Sequence, residues 1–305
     1  MLSKPMVSVC ITAYDHEQYL AEALDSVLSQ KINFEIEVII GEDYSTDSTL
    51  QIAQDYQARY SDLIRVVQSG YREKLVINGH VTARYNFLNV LGLAKGKYIA
   101  WLDGDDYWID SLKLQKQVDF LEEHEEYSLT FHNVYLEDSE TGAVRETKPT
   151  YHPSNFPGRN ELEDLLLTHN IVPTSAALLR NNIPKVFPAI FYKVQIGDWP
   201  FQIFNLNFGR VKYMEEIMGV YRVGGGIWSK KNRAAQLLLI IDTYRYLAAI
   251  TPPKLMASLK HACAIHYREL IRQYQGERKF LKAGKTLVHL WWYLLTGRVM
   301  TSHRK

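Results

Sequence analysis

Asp103, Asp105 and Asp106 follow directly on the apolar run Tyr98-Ile99-Ala100-Trp101-Leu102. A strand stops where burial stops, so this pattern predicts carboxylates at the C-terminal edge of a buried strand. In an open α/β sheet that edge is where ligands bind. Carboxylates packed this closely repel one another unless a cation shares them. Hard oxygen ligands suit Mg²⁺ or Mn²⁺, and a metal there can also hold a ligand's phosphates. Gly104 permits a tight turn that aims Asp103 and Asp105 at one ion. An acidic surface turn after a core strand would use the same residues. A further carboxylate, Asp198, stands in Gly197-Asp198-Trp199-Pro200, at the start of a helix expected over residues 201–207. Asp198 suits an N-cap, with Pro200 in the first turn.

The elements that must position these groups alternate in type. Strands are expected at Val7–Ile11, Glu35–Ile40 and Ile64–Val67, with helices over Tyr19–Leu28 and Thr49–Tyr60 between them. This β-α-β-α-β opening with short connections predicts parallel pairing and crossover helices on the sheet faces. Val81–Leu93 reads as a helix whose Lys95-Gly96-Lys97 turn feeds the acidic strand. A helix near Ser111–Glu122 and a strand over Tyr127–Leu136 follow. Residues 137–159 are polar and Pro-rich and read as a long loop or hairpin, the usual material of a binding rim or lid. Asn160 is placed to cap a helix over Glu161–Leu167, with Glu163 three residues on. Pro173–Leu179 reads as a loop feeding a buried strand. Val211–Tyr213 and Met218–Tyr221 read as one or two strands, and Gly224-Gly225-Gly226 ends regular structure. Three helices are expected beyond it, over Ala234–Ile250, Lys254–Tyr274 and Glu277–Tyr293. The expected division is a catalytic body over residues 1–226 and a helical region over 227–305.

The chain of 305 residues is 47% hydrophobic, enough for a substantial core. Its net charge of +1 hides an asymmetry. Residues 254–305 hold 11 Lys or Arg against 2 acids, so the remainder carries 24 basic and 32 acidic residues, a net of −8. An acidic body argues against a nucleic-acid partner. Cys10 and Cys263 form no metal-ligand or redox pattern and read as reduced core residues of a cytosolic protein. The N-terminal residues lack the apolar run of a signal peptide, and no stretch reaches the length of a transmembrane helix.

Taken in order, four motifs resemble the inverting family 2 glycosyltransferases of the GT-A fold. They are Val7-Ser8-Val9-Cys10-Ile11-Thr12-Ala13-Tyr14, then Glu42-Asp43-Tyr44-Ser45-Thr46-Asp47, then Gly96-Lys97-Tyr98-Ile99 leading to Asp103-Gly104-Asp105-Asp106, and finally Gly197-Asp198-Trp199. The resemblance covers residues 5–226. It implies a Rossmann-like three-layer α/β/α sandwich around a mixed, mainly parallel sheet, a nucleotide-sugar donor, a divalent metal (Mn²⁺ or Mg²⁺), and single displacement with inversion at the sugar carbon.

Carried over position by position, the resemblance sets Thr12, Ala13 and Tyr14 along the nucleobase pocket. It makes Asp43 the acid that reads a uracil ring, and a carboxylate can accept the ring N–H. Asx-turn or capping duty is the structural alternative for Asp43, though Ser45 and Asp47 can supply it. Arg84 corresponds to a basic residue near the donor; surface solvation accounts for a lone arginine equally. Asp105 is implied to touch the metal most directly, Asp103 to contact ribose or a metal-bound water, and Asp106 to support the loop or meet the donor sugar. Asp198 is the implied general base, since inversion needs a carboxylate opposite the leaving nucleotide to take the acceptor's proton. Trp199 is offered as the floor of a sugar site or as a core tryptophan. His132, Asn133, Thr174 and Ser175 are candidates for the acceptor pocket. Many relatives place a histidine after the equivalent of Tyr221-Arg222-Val223. Its absence here puts a protein imidazole near the metal in doubt and leaves Arg222, Ser229 and Lys230 as phosphate contacts on a flap.

The expected activity is transfer of one sugar from a UDP-sugar to a saccharide or lipid-linked glycan, as in surface polysaccharide synthesis. Gln-x-x-Arg-Trp, the signature of processive synthases, does not occur. A nucleotidyltransferase of similar fold is the alternative, but Thr12–His16 lacks the glycines and arginines of its phosphate loop; a noncatalytic nucleotide- or sugar-binding protein is a third reading. In the tail, Lys279, Lys282 and Lys285 precede Leu287-Val288-His289-Leu290-Trp291-Trp292-Tyr293-Leu294-Leu295. Tryptophan and lysine so arranged suit an anionic membrane surface; packing on the catalytic body or a homodimer contact suits them rather better, because aromatic-rich helices usually bury in protein. The protein is therefore expected in the cytoplasm, or at the inner face of the plasma membrane.

Overall fold

A computed structural model describes residues 4–69, 74–77, 79–146, 162–184, 186–224 and 231–300. The chain opens as β1 (Val7–Ala13), α1 (Leu20–Leu28), β2 (Ile36–Glu42), α2 (Thr49–Arg59) and β3 (Ile64–Gln68). These three strands pair in parallel, β3-β2-β1, as the short crossovers require. A small hairpin follows, β4 (Leu75–Ile77) and β5 (His80–Thr82). The helix expected from Val81 therefore starts later, as α3 (Arg84–Leu93), because Val81 belongs to the hairpin.

The acidic strand is β6 (Tyr98–Asp103), which lies parallel to β1. The chain continues through β7 (Tyr107–Trp108), α4 (Lys113–Glu123), β8 (Tyr127–Asp138) and β9 (Val144–Glu146). After residues 147–161, which include the Asn160 cap and lie outside the described residues, come α5 (Leu162–Thr168), one turn of 3₁₀ helix at Thr174–Ala176, and β10 (Leu178–Arg180). A second 3₁₀ turn spans Ala189–Tyr192. Next are α6 (Asp198–Asn205) and β11 (Arg210–Val223), one long strand whose register shifts between Met214 and Ile217. Of the one or two strands expected there, the chain forms one, with a bulge. The C-terminal helices are α7 (Arg233–Leu247), α8 (Met256–Gly276) and α9 (Phe280–Thr296).

The main sheet runs β3-β2-β1-β6-β10-β8-β11-β7, with β9 on β8. β10 is antiparallel to both neighbours, which leaves β8 and β11 parallel to β6. The result is a three-layer α/β/α sandwich on a mixed, mainly parallel sheet, with helices at the C-terminus. Period-two alternation divides the core. Val7, Val9 and Ile11 of β1 and Tyr98, Ala100 and Leu102 of β6 face α1, α2 and α4. Cys10 of β1 and Ile99 and Trp101 of β6 face the opposite core, with Phe87 of α3 and Phe201 of α6. That core continues without a break through Leu237 and Ile241 of α7 and Tyr267 of α8 to Tyr293 of α9. Both cysteines are buried, and burial raises both thiols.

Candidate active site

β6 delivers Asp103 beside the end of β1. In the parallel register Asp103 sits opposite Thr12, whose hydroxyl donates to Asp103 Oδ1 at 2.7 Å. The Gly104 amide donates to the Thr12 carbonyl at 2.8 Å, and the Asp106 amide to the Asp103 carbonyl at 3.0 Å. Gly104 is needed for closeness and not for a left-handed backbone. A Cβ there would lie 2.9 Å from His16 Nδ1 and 3.1 Å from the Thr12 carbonyl oxygen. Asp105 is partly open to solvent, and Asp106 is buried with Oδ1 accepting from the Arg222 amide at 2.8 Å.

Charge repulsion in this turn is visible in its acids. Asp103 keeps part of its surface open to the cleft, yet burial first and the Asp105 charge second push it up to about 7. Asp106 is raised well above the usual carboxylate range by burial, then by Asp105 and Asp103; the Arg222 amide pulls the other way. A set of hard oxygen donors so under-compensated fits a divalent cation, with Asp105 and Asp103 as the residues to hold it. Among the described residues no group of three or more His, Cys, Asp or Glu side chains is already arranged as a metal cage. An imidazole does stand by the turn, from the other side of the site. His16 Nε2 is 3.9 Å from Asp105 Oδ2, with Nδ1 buried under Gly104.

Arg222, proposed as a phosphate contact, is engaged as a brace. Nη1 donates to the Asp105 carbonyl at 2.7 Å, Nε to Glu137 at 2.7 Å and Nη2 to Glu22 at 2.6 Å, while Tyr19 and Tyr107 flank the guanidinium. Gly225, Gly226, Ser229 and Lys230 of the proposed flap lie outside the described residues.

The donor side is closed by two cross-linked loops. The Asp43 amide donates to the Ala13 carbonyl at 2.9 Å, and Asp15 Oδ1 accepts from the Thr46 amide at 2.7 Å. Asp15 and Tyr44 both take positive φ, 52° and 62°, an uncommon backbone for residues with side chains. Asp43 is buried and raised, chiefly by that burial, against the pull of Lys74, whose Nζ lies 3.7 Å away. Lys74 Nζ also sits 4.3 Å from the centre of the exposed Tyr14 ring. Tyr14, Lys74 and Asp43 thus form one corner fit for a planar, hydrogen-bonding ring. Asp47, not Asp43, makes the local turn, accepting from the Thr49 amide at 2.9 Å. A lone lysine in a poorly patterned stretch gives no sign of this role in sequence.

Asp198 stands across the cleft at the first position of α6. Gly197 is the N-cap residue and no side chain caps this helix, so the expected capping bond of Asp198 is not made. Asp198 instead accepts from Asn170 Nδ2 at 2.5 Å and faces a cavity of about 940 Å³. Thr174, Tyr221, Ile171 and Leu136 line that cavity, with Leu239 and Ile240 of α7. Tyr221 lies among all four carboxylates, and burial followed by Asp106, Asp103, Asp198 and Asp105 raises its phenol, which stays a neutral donor.

Arg84 turns away from the donor corner toward this side. Its buried guanidinium donates to the carbonyls of Phe191 at 3.0 Å and Gln195 at 3.2 Å and lies beneath Gly197, whose added Cβ would come 2.6 Å from Nη2. Burial lowers Arg84 to about 10, opposed by Asp198. The other acceptor-side candidates divide. Trp199 is 2% exposed, donates Nε1–H to the Leu166 carbonyl at 2.6 Å and packs edge-on to Tyr244, as a core tryptophan at the cavity wall. His132 is fully buried with Nδ1 on the Asn133 carbonyl, and burial lowers it to about 3. Asn133 Oδ1 accepts from the Val134 amide. Neither His132 nor Asn133 belongs to the cavity lining. Ser175 lies under Asp106, its carbonyl accepting from Trp108 Nε1 at 2.8 Å. Asn170, Lys74, His16 and Tyr221 are site residues that sequence reasoning missed.

A mainly parallel sandwich with an acidic turn at one strand end and a facing carboxylate across a cavity is a GT-A-type architecture. The Glycosyl transferase family 2 profile matches residues 8–187, and the chain belongs to that family. An uncharacterized protein of Mycobacterium tuberculosis is 34% identical over 223 residues, 73% of this chain and 60% of that protein. The chain thus spans about 60% of the length of this relative. The putative glycosyltransferase EpsE of Bacillus subtilis is 42% identical over 129 residues, 42% of this chain and 43% of EpsE. Among solved structures, the Pyrobaculum calidifontis mannosyltransferase PcManGT, in complex with GDP-Man and Mn²⁺, aligns with a TM-score of 0.62 at 16% identity, over 98% of this chain and 77% of that one. The UDP complex of Staphylococcus aureus TarS aligns with a TM-score of 0.55 at 19% identity, over 88% and 72%. At these identities the likeness is one of fold.

Proposed function

We propose that this protein is a metal-dependent, inverting glycosyltransferase that moves one sugar per event from a UDP-sugar to a saccharide or lipid-linked glycan. The observation that carries the reading is the cavity that Asp198, Thr174 and Tyr221 line together, with the charges of Asp106, Asp103, Asp198 and Asp105 all acting on the Tyr221 phenol. Residues 1–226 are the catalytic body in this reading, and residues 227–305 the accessory helices. It works in the cytoplasm, at the inner face of the plasma membrane where the acceptor is lipid-borne.

In this mechanism Tyr14 supports the base and Asp43 accepts the uracil N–H, displacing Lys74 toward the diphosphate. Asp105 and Asp103 would hold a Mn²⁺ or Mg²⁺ ion, and such an ion would supply charge for the departing diphosphate. The acceptor hydroxyl enters from the cavity and attacks the anomeric carbon as the bond from that carbon to the diphosphate oxygen breaks. Asp198 takes the hydroxyl proton, its free geometry set by Asn170 on one oxygen. The new bond forms opposite the departing one, which inverts the centre. The neutral Tyr221 phenol and the largely apolar cavity exclude water from the reacting carbon.

A thermal-shift screen of UDP- and GDP-sugars, with and without Mn²⁺ or Mg²⁺, followed by nucleotide-release measurement, tests the reading. Stabilisation by UDP-sugars only with metal, and release of UDP on adding acceptor, is the expected result. Pyrophosphate release from a nucleoside triphosphate would move the protein to the nucleotidyltransferases.

A further inference from the structure

We infer that the outward face of α9 is a docking surface for an anionic lipid bilayer. The helix has two apolar faces. Ala283, Thr286, His289, Leu290 and Tyr293 recur at helical spacing and are buried. At about 100° per residue, Leu281, Leu287, Val288, Trp291, Trp292 and Leu295 fall on the opposite side. All six are exposed, Leu281 at 93%, Leu295 at 79% and Trp291 at 62%.

The size of this patch separates it from ordinary scatter. With roughly 250 Å² for a fully exposed tryptophan, Trp291 and Trp292, at 62% and 46%, alone show on the order of 270 Å². The leucines and the valine carry the patch past the few hundred Å² that a soluble monomer leaves in one place. The sequence of this helix suits both burial in protein and contact with a membrane. The fold accommodates both, since the inner stripe packs and the outer stripe does not.

Charge selects the occupant. From Arg278 to Arg298 the chain has five basic residues and no acid. Lys282 and Lys285 are both exposed near the start of α9, Lys285 on the flank between the two apolar faces and Lys282 on the side of Tyr274 of α8. Two copies meeting through this face would bring those cations together, which a neutral or like-charged contact does not compensate. An anionic headgroup layer does compensate them, while tryptophans sit at the depth they prefer. Among the described residues no helix is long and apolar enough to cross a membrane. The helix therefore lies along the surface, about 5–10 Å into the headgroup boundary for such helices.

The inference stands apart from the identity of donor or acceptor. Its test is co-sedimentation of the full chain with vesicles of phosphatidylcholine alone or mixed with phosphatidylglycerol, at low and high salt. Binding to the anionic vesicles, weakened by salt, is expected. The double variant Trp291→Glu/Leu295→Glu should lose it by about tenfold or more, on a charge and apolar-area basis, with its unfolding temperature and UDP binding unchanged. Lys282→Glu/Lys285→Glu supplies the same test through charge alone should the first variant fail to fold. Wild-type chain that ignores anionic vesicles, or variants that bind them equally, would overturn the inference. A wild-type dimer in sedimentation equilibrium that the double variant splits, without vesicle binding, would make the face a contact between copies instead.

Discussion

Replacing Arg84 by lysine separates two roles that one arginine could play. The resemblance to family members sets a basic residue here beside the donor. The structure sets its guanidinium on the carbonyls of Phe191 and Gln195, under the turn that carries Asp198. Lysine keeps the charge but presents a single ammonium on a thinner stem, so it reaches one carbonyl well and leaves the other. A charge-assisted hydrogen bond contributes about 1.5–3 kcal/mol, and that is the expected loss of folding stability by urea unfolding. The effect on turnover is larger than the geometry change suggests. A shift of about 1 Å at Asp198 costs on the order of a hundredfold in rate, because the base must meet the acceptor proton in line. Donor affinity should stay as it was, since Tyr14, Asp43, Lys74 and Asp105 do not touch Arg84. The assay is UDP-sugar binding by calorimetry beside UDP release at saturating donor. If Arg84→Lys weakens donor binding in step with turnover, the guanidinium belongs to the donor site and the positioning argument fails.

Asp105→Ala should abolish cation-dependent UDP binding and nearly all transfer while the fold survives, because Asp105 is partly exposed and contributes charge and not packing; unchanged UDP affinity with metal in a folded variant refutes this. Asp198→Asn keeps the shape and the Asn170 contact but removes the base, so turnover should fall by about a hundredfold or more with donor affinity intact; loss of donor binding instead would make Asp198 a donor ligand. A third expectation concerns pH. The folded-state Asp103 carboxyl is raised from 3.8 to about 7 by burial and Asp105, so this group costs the metal-free fold stability progressively as pH rises between those values. A divalent cation competes with that proton, so the gain in unfolding temperature from Mn²⁺ should be larger near pH 8 than near pH 6. An equal gain at both values removes Asp103 from the cation site.

The order of elements was legible because it rests on local periodicity. Alternation in β1, β2 and β6 and helical spacing in α1, α2 and α4 each lie within about ten residues. The acid turn was legible for the same reason, since an abrupt end of burial is a one-dimensional signal. The tail also announced its apolar and basic content. What composition and spacing do not carry is direction in space. Whether Arg84 faced donor or acceptor depended on where Phe191 and Gln195 return to the sheet, over a hundred residues later. His16 reached Asp105, and Lys74 reached Asp43, through pairings between β1, β2 and a hairpin that short segments do not specify. His132 and Trp199 looked like ligand-binding types, but burial by neighbouring strands and helices made them core. The α9 stripes show the division most plainly. The sequence by itself determined that this helix is apolar nearly all round and basic at its flank. Only tertiary packing decided which stripe α8 covers and which one is left to meet something else, because burial is a property of neighbours that arrive from elsewhere in the chain.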